Sequence, residues 1–429
     1  MALKRQLGVW SAVALVIGQV IAVGIFLTPA GMVKSVSSPF WLFAAWVFIG
    51  LMSISGALCY GELASRFPEA GGSYVYLREA YGKPVAFLYG WMVLLVLDPG
   101  LTAIFGVGIG SYAAYIVPLS PLAQKLLAIS SIGLIGLINI YGARVGSTFL
   151  NLLTVLKIGT LFSIIIYGFL AGTGNWGNFS PFFATPPDVF GAFAGGIVGA
   201  FFAFAGWWEV TRMAGEVRNP RTTLPLALTF GIIGITIIYV LTSAVFYYLV
   251  PLSKVENDLT FAAQAGQAMF GPAGGVVFAV IVIVSVLGTL TAYLMAGPRV
   301  YFAMANDGLF FESVGKLHEK YGSPHRAIVI QIVLASILIL SGTFETIVSY
   351  FFFEVVLFIA VTVAGIFRIR KNPSDGYETP LYPFTPIFFL SITAVVLILI
   401  SMRNPLQSFL GVGVVLIGLP VYFLVFKSE

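Results

Sequence analysis

The chain has 429 residues, 59% of them hydrophobic and only 9% charged. A soluble domain carries about 25% charged residues, so this composition describes a polytopic membrane protein. A single cysteine, Cys59, excludes an internal disulfide, and the two histidines, His318 and His325, fall in a polar connector, so neither a metal site nor any cofactor is expected.

Apolar stretches long enough to cross a bilayer, about 20 residues each, lie near 8–33, 40–65, 84–116, 122–141, 147–171, 190–217, 223–250, 273–305, 326–343, 345–368, 382–402 and 405–426. The third and eighth are long enough to tilt. The stretch Leu7–Val33 lacks an Ala-x-Ala ending and reads as the first span, not as a cleaved signal. With the N-terminus inside, 17 of the 22 Lys and Arg fall in inner segments, four in outer ones and one, Lys157, inside the membrane. That bias follows the positive-inside rule, places both termini in the cytoplasm, and explains the net charge of +5 without nucleic acid.

The first span carries backbone-breaking composition at its middle, Gly18-Gln19-Val20-Ile21-Ala22-Val23-Gly24-Ile25-Phe26-Leu27-Thr28-Pro29. In the third span Asp98 precedes Pro99-Gly100. Its carboxylate could titrate, contact a substrate, or bond the backbone amides freed by the interruption. Lys157 stands alone in the apolar fifth span, where a charge costs at least ~2.5–3.5 kcal/mol on insertion scales and by default marks a site. It lies about ten residues into the span, too deep to snorkel easily to an interface. The sixth span repeats the breaking composition in Gly195-Gly196-Ile197-Val198-Gly199-Ala200-Phe201-Phe202-Ala203-Phe204-Ala205-Gly206-Trp207-Trp208. Glu209 follows and is expected to pair with a nearby base such as Arg212. Glu354 in the tenth span reads as a gate or an interfacial charge. Glu62, Arg66, Arg78 and Glu216 read as inner-gate or surface ion pairs.

Interrupted helices at corresponding positions of two five-span halves are where secondary transporters of inverted-repeat type place their substrate. Freed N–H groups after each break suit a carboxylate, and freed C=O groups before it suit an ammonium. Close packing of small residues is the plainer alternative for either break alone. Pore-lining polar rings of a channel and the constellations of a membrane enzyme, such as His-Glu-x-x-His or Gly-x-Ser-x-Gly, are missing from the spans.

Several segments resemble the amino acid–polyamine–organocation (APC) superfamily, most closely its bacterial L-amino-acid transporter (LAT)-like members. They are Gly24-Ile25-Phe26 with Thr28-Pro29, the connector from Tyr60-Gly61-Glu62 through Gly71-Gly72-Ser73-Tyr74, Phe202-Ala203-Phe204-Ala205-Gly206-Trp207 leading into Gly215-Glu216-Val217-Arg218-Asn219-Pro220, and Gly297-Pro298-Arg299 through Asp307-Gly308. The resemblance implies an all-α LeuT-type 5+5 inverted repeat with about 12 transmembrane helices, the first and sixth broken. Residues 1–370 would form the ten-helix core, with repeats near 7–171 and 190–370, and 371–429 two peripheral helices.

By the same resemblance, backbone N–H groups of Ala22, Val23 and Gly24 hold a substrate carboxylate. Carbonyls of Val20, Phe202 and Ala205 hold its ammonium. Phe202 is the aromatic gate, and Gln19, Ile25, Ala203, Phe204 and Gly206, with the facing third and eighth spans, set side-chain selectivity. Lys157 matches a fifth-span lysine that stands where sodium-coupled relatives of the fold hold a cation; it acts as a fixed charge or, desolvated, as a proton carrier. Lys157, Phe202 and Asp98 are thus the coupling and gating candidates. The chain departs from the family's Gly-Ser/Ala-Gly at Ala22-Val23-Gly24. No N–H donor is lost, but β-branched Val23 restricts the backbone and narrows or reshapes the site.

The expected function is sodium-independent exchange of L-amino acids, neutral ones favoured, by alternating access in the cell membrane, by a monomer or homodimer. The alternatives are a proton-coupled symporter and a cationic amino-acid or polyamine carrier.

Overall fold

The apolar runs are punctuated by proline and glycine, and the helices start and stop there. Pro39, Pro121, Pro220 and Pro272 each occupy the opening turn of a helix, where the missing N–H would have had no intrahelical acceptor. The structure is a computed structural model that describes residues 5–426 apart from 6, 22–23, 37, 142, 171, 186–187, 251–260, 343, 372–375 and 404.

The first span is two helices, α1 (Val9–Val20) and α2 (Gly24–Val36), followed by α3 (Pro39–Arg66) as the second span. A connector helix α4 (Ser73–Tyr81) leads into the third span, which runs as α5 (Lys83–Met92), a π-helical turn at Val93–Leu97 and α6 (Asp98–Ile116). The fourth and fifth spans are α7 (Pro121–Ile140) and α8 (Ala143–Leu170). The sixth consists of α9 (Val189–Phe204) and a 3₁₀ segment, Trp207–Glu216. Then come α10 (Pro220–Leu249) as the seventh span, α11 (Phe261–Phe270), and the eighth span as α12 (Pro272–Ala296) bent at Gly297-Pro298 into α13 (Pro298–Asn306). After the short α14 (Glu312–Gly315), α15 (His325–Ser341) and α16 (Phe344–Ala364) with α17 (Ile366–Ile369) make the ninth and tenth spans. The chain closes with α18 (Phe384–Arg403) and α19 (Pro405–Val421).

Among the described residues, nine helices are long and apolar enough to cross a membrane. The first and sixth spans fall below that length because each is interrupted, and α15 is a shorter apolar helix. This is the all-helical polytopic architecture expected, with two interrupted spans at equivalent places. The interrupted helices lie against each other: α2 packs on α9, while α1 packs on α10, α12 and the 3₁₀ segment. The third and eighth spans pack together as α6 and α12. Helix α18 covers α3 and α16, and α19 covers α16 and α5, so the last two spans sit on one flank.

Candidate functional site

Helix α1 stops at Val20, and Ile21 leaves the helical region with ψ of 85°. Helix α2 begins at Gly24. Ala22 and Val23, two of the three expected carboxylate donors, lie outside the described residues. In the sixth span Ala205 turns to φ −57°, ψ 143°, and Gly206 adopts φ +105°, a conformation that strongly favours glycine. The two breaks meet: a Cβ added to Gly24 would stand 2.8 Å from Cα of Ala203. Each interruption strands the terminal C=O groups of one half-helix and the leading N–H groups of the next.

Two side chains brace these stranded groups. Lys157 on α8 is 1% exposed, and its Nζ donates to the carbonyls of Gly18 at 3.0 Å and Ile21 at 2.5 Å and to Oγ1 of Thr289 at 2.7 Å. All three ammonium protons are thereby used, at the negative end of α1 where a cation is favoured. The Tyr239 hydroxyl on α10 faces the carbonyls of Val20 at 3.0 Å and Ala203 at 2.9 Å, linking the two breaks. One of the three expected ammonium acceptors, Val20 O, therefore already faces a donor. A second, Phe202 O, accepts from Ala205 N–H at 3.1 Å. Each carbonyl retains a second lone pair.

A narrow cavity of about 30 Å³, smaller than an open small-molecule site, lies over the breaks. Gln19, Val20, Gly24, Phe202, Ala203 and Ala205 line it. Its facing wall is Leu97, Leu101, Ile104 and Phe105 of the third span with Tyr293 of the eighth. Trp208 completes the sixth-span side. No charged side chain lines it among the described residues. Gln19 is 1% exposed and both its amide atoms lack a hydrogen-bond partner, so a neutral polar group faces a mostly apolar cavity. The Phe202 ring meets Phe352 edge-to-face at 5.6 Å.

Other expected residues stand elsewhere. Ile25 is buried off the cavity wall. Phe204 faces away from it and packs on Trp46 and Tyr239. Gly206 borders the wall through Tyr293, whose hydroxyl would lie 2.5 Å from a Cβ there. Phe352 and Val355 of the tenth span also line the cavity and were not anticipated. Both are apolar residues in a helix with little polar contrast, so no periodicity marked them.

Asp98 is not spent on the amides around Pro99-Gly100. Its Oδ1 accepts from Arg212 Nη1 at 3.0 Å and its Oδ2 from the Tyr301 hydroxyl at 2.7 Å. Arg212 also contacts Glu209, Nε to Oε2, at 2.6 Å, so the expected Glu209–Arg212 pair is present and is joined by Asp98. Glu354 is buried with its carboxylate against Gly411 of α19 and lies neither on the cavity nor at an exposed interface.

At the end of the bundle that carries α4 and α13, Arg299 pairs with Glu216 at 3.2 Å, and Arg78 with Asp307 at 2.6 Å. Glu62 pairs with Arg66 at 2.9 Å and also reaches Arg370 at 3.4 Å. There the chain before α1 joins the end of the sixth span through Leu7 N–H to Glu216 O at 2.9 Å and Arg218 N–H to Leu7 O at 2.8 Å. Burial, and then the hydrogen bond donated to Asp307, push the Tyr74 phenol well above its ordinary range.

A family model described as Amino acid permease matches residues 7–426. The chain belongs to that family. It sits within the superfamily that its motifs resemble, and it aligns over nearly its full length with characterised members. It is 29% identical to the serine/threonine exchanger SteT of Bacillus subtilis (strain 168), covering 98% of this chain and 97% of that one. It is 28% identical to the b(0,+)-type amino acid transporter 1 of Homo sapiens, over 98% of this chain and 88% of that protein. The cystine/glutamate transporter of Homo sapiens is 26% identical, over 98% and 85%.

Proposed function

We propose that this permease exchanges neutral L-amino acids across the cell membrane by alternating access, without sodium. One arrangement carries the reading: two helix breaks in contact beneath a cavity that no charged side chain lines among the described residues, with Lys157 seated on the carbonyls of the first break. A zwitterion brings its own pair of charges to such a site. Its carboxylate takes N–H groups at the start of α2, in the segment of Ala22, Val23 and Gly24, and its ammonium takes free carbonyl lone pairs at the ends of α1 and α9, Ala205 among them. The substrate side chain then meets Gln19 and the apolar wall of the third span. A cationic or anionic side chain would find no counter-charge there, which disfavours a cationic amino-acid or polyamine carrier.

Lys157 supplies the positive charge that a bound sodium ion would otherwise bring to the first break, and its site is already filled by three ligands. The name of one relative, a serine/threonine exchanger, supports exchange. Residues 1–370 act as the transport core, 371–429 as its peripheral flank, and both termini face the cytoplasm in line with the basic inner segments. Phe202, held against Phe352, closes the cavity.

Thermal unfolding of the purified protein against a panel of amino acids and polyamines tests the site. A ligand at a hundred times its Kd adds about 2.7 kcal/mol of stability. Neutral L-amino acids should raise Tm equally with and without sodium. Stabilisation by arginine or putrescine but not by any neutral amino acid, or only in sodium, would contradict the reading.

A further inference from the structure

The cluster of Asp98, Glu209 and Arg212 does not balance its charges. The side chains of Asp98 and Glu209 are 0% exposed and that of Arg212 1%, yet two carboxylates share one guanidinium. The other titratable groups facing Glu209 are the phenols of Tyr89 from α5, Tyr293 from α12 and Tyr301 from α13, and the Trp208 indole lies beside it. None is a cation. Lys157 is engaged at the first break and Arg299 with Glu216. An uncompensated charge in a membrane interior is strongly disfavoured.

The two carboxylates are not equivalent. Asp98 receives a hydrogen bond on each oxygen, from Arg212 and from Tyr301. Glu209 is less well served: neither oxygen has a hydrogen bond of good geometry, its Oε2 touching Arg212 Nε at 2.6 Å without a hydrogen-bond direction and the Trp208 indole lying to one side. Its poorer set of donors leaves Glu209 the better place for a shared proton.

The cluster also crosses a seam. Glu209 and Arg212 belong to the lower half of the broken sixth span, whereas Asp98 and Tyr301 belong to the third and eighth spans. Their chain neighbours Trp208 and Leu97 line the cavity, so the seam closes immediately beneath the site.

We propose that Glu209 is a proton-binding site within the inner gate, holding one proton while the sixth span is locked to the third and eighth. When the seam parts, Arg212 leaves Asp98, water reaches the cluster, and the proton passes from Glu209 to that water; closing takes one back. No other reactant is needed. The proton is released to and taken back from the same inner water, so none crosses the membrane, and gate opening becomes sensitive to internal pH.

Infrared spectroscopy of the purified protein in lipid reads the proton directly and does not depend on the exchange reading. Wild type at neutral pH should show a protonated-carboxyl band component that Glu209→Gln loses and Glu354→Gln, which removes the other buried lone carboxyl, keeps. Asp98→Asn should also lose that component although Glu209 is still present, because Glu209 can then ionise against Arg212. A component unchanged in Glu209→Gln would overturn the proposal, as would one that ¹³C-carboxyl labelling of glutamate fails to shift, since a proton held by Asp98 would vanish in both variants but ignore that label; if Glu209→Gln does not accumulate, the labelling decides alone. In liposomes, which adds the exchange reading, wild-type exchange should vary several-fold with internal pH and Glu209→Gln should give a flat profile. Matching pH profiles would refute the gate role, whereas absence of transport in wild type would refute the exchange reading instead.

Discussion

Lys157 Nζ lies 3.0 Å from the carbonyl oxygen of Gly18, so a cation from the fifth span terminates the first half-helix of the first span. With Ile21 and Thr289 as further acceptors, the ammonium fixes the geometry of the break from behind. Lys157→Ala leaves two buried carbonyls without their charged donor, and hydrogen bonds to charged groups contribute about 1.5–3 kcal/mol. Exchange should fall about ten- to a hundredfold, with no rescue by sodium or by Lys157→Arg, whose planar fork does not reproduce a compact three-donor ammonium. The readout is initial exchange rate at matched protein density, with and without sodium.

Gly206 combines φ of +105° with a missing Cβ that would stand 2.5 Å from the Tyr293 hydroxyl. Gly206→Ala should lower Tm and weaken binding through both strain and contact. Adding Tyr293→Phe removes the contact but not the strain, so the double variant should recover binding only in part. Full recovery would show that the backbone conformation is unimportant. Titration of Tm against amino-acid concentration separates these outcomes.

Tyr239→Phe deletes the hydroxyl shared by Val20 O and Ala203 O. A net loss of about 0.5–1.5 kcal/mol is expected for one such hydrogen bond, seen as a weaker apparent substrate affinity of about two- to tenfold. The aromatic packing of the ring on Trp46 and Phe204 remains, so expression should be close to wild type.

Phe352→Ala removes the edge-to-face partner of Phe202, an interaction of about 0.5–1.5 kcal/mol beyond buried area. Bound substrate should dissociate about two- to tenfold faster, and Phe202→Ala should do the same. The double variant should be no worse than the stronger single one, because both remove one closure. Stopped-flow release of labelled substrate measures it.

Much of this was legible in the chain because its punctuation is chemical. Glycine in the first and sixth spans marks the helix breaks, and one lysine in an apolar run marks a buried donor. Rotation of the helices was harder to read. Phe204 faces away from the cavity and Phe352 and Val355 face it, yet all belong to helices apolar on every side, where a 3.6-residue pattern has no contrast. The partner of Asp98 was hidden for another reason. Arg212 is 114 positions away, and only the packing of the third span on the sixth brings them together. Local chemistry suggested the neighbouring amides, but the structure shows a guanidinium and a phenol instead.

The central claim is obligatory exchange of neutral amino acids, and counterflow in liposomes tests it most directly. Purified protein is reconstituted with unlabelled serine or leucine inside, and uptake of the same labelled amino acid is followed in sodium-free buffer. Uptake should be rapid in loaded vesicles, near background in empty ones, and unchanged by sodium. Equal uptake into empty vesicles driven by a proton or sodium gradient would contradict the account.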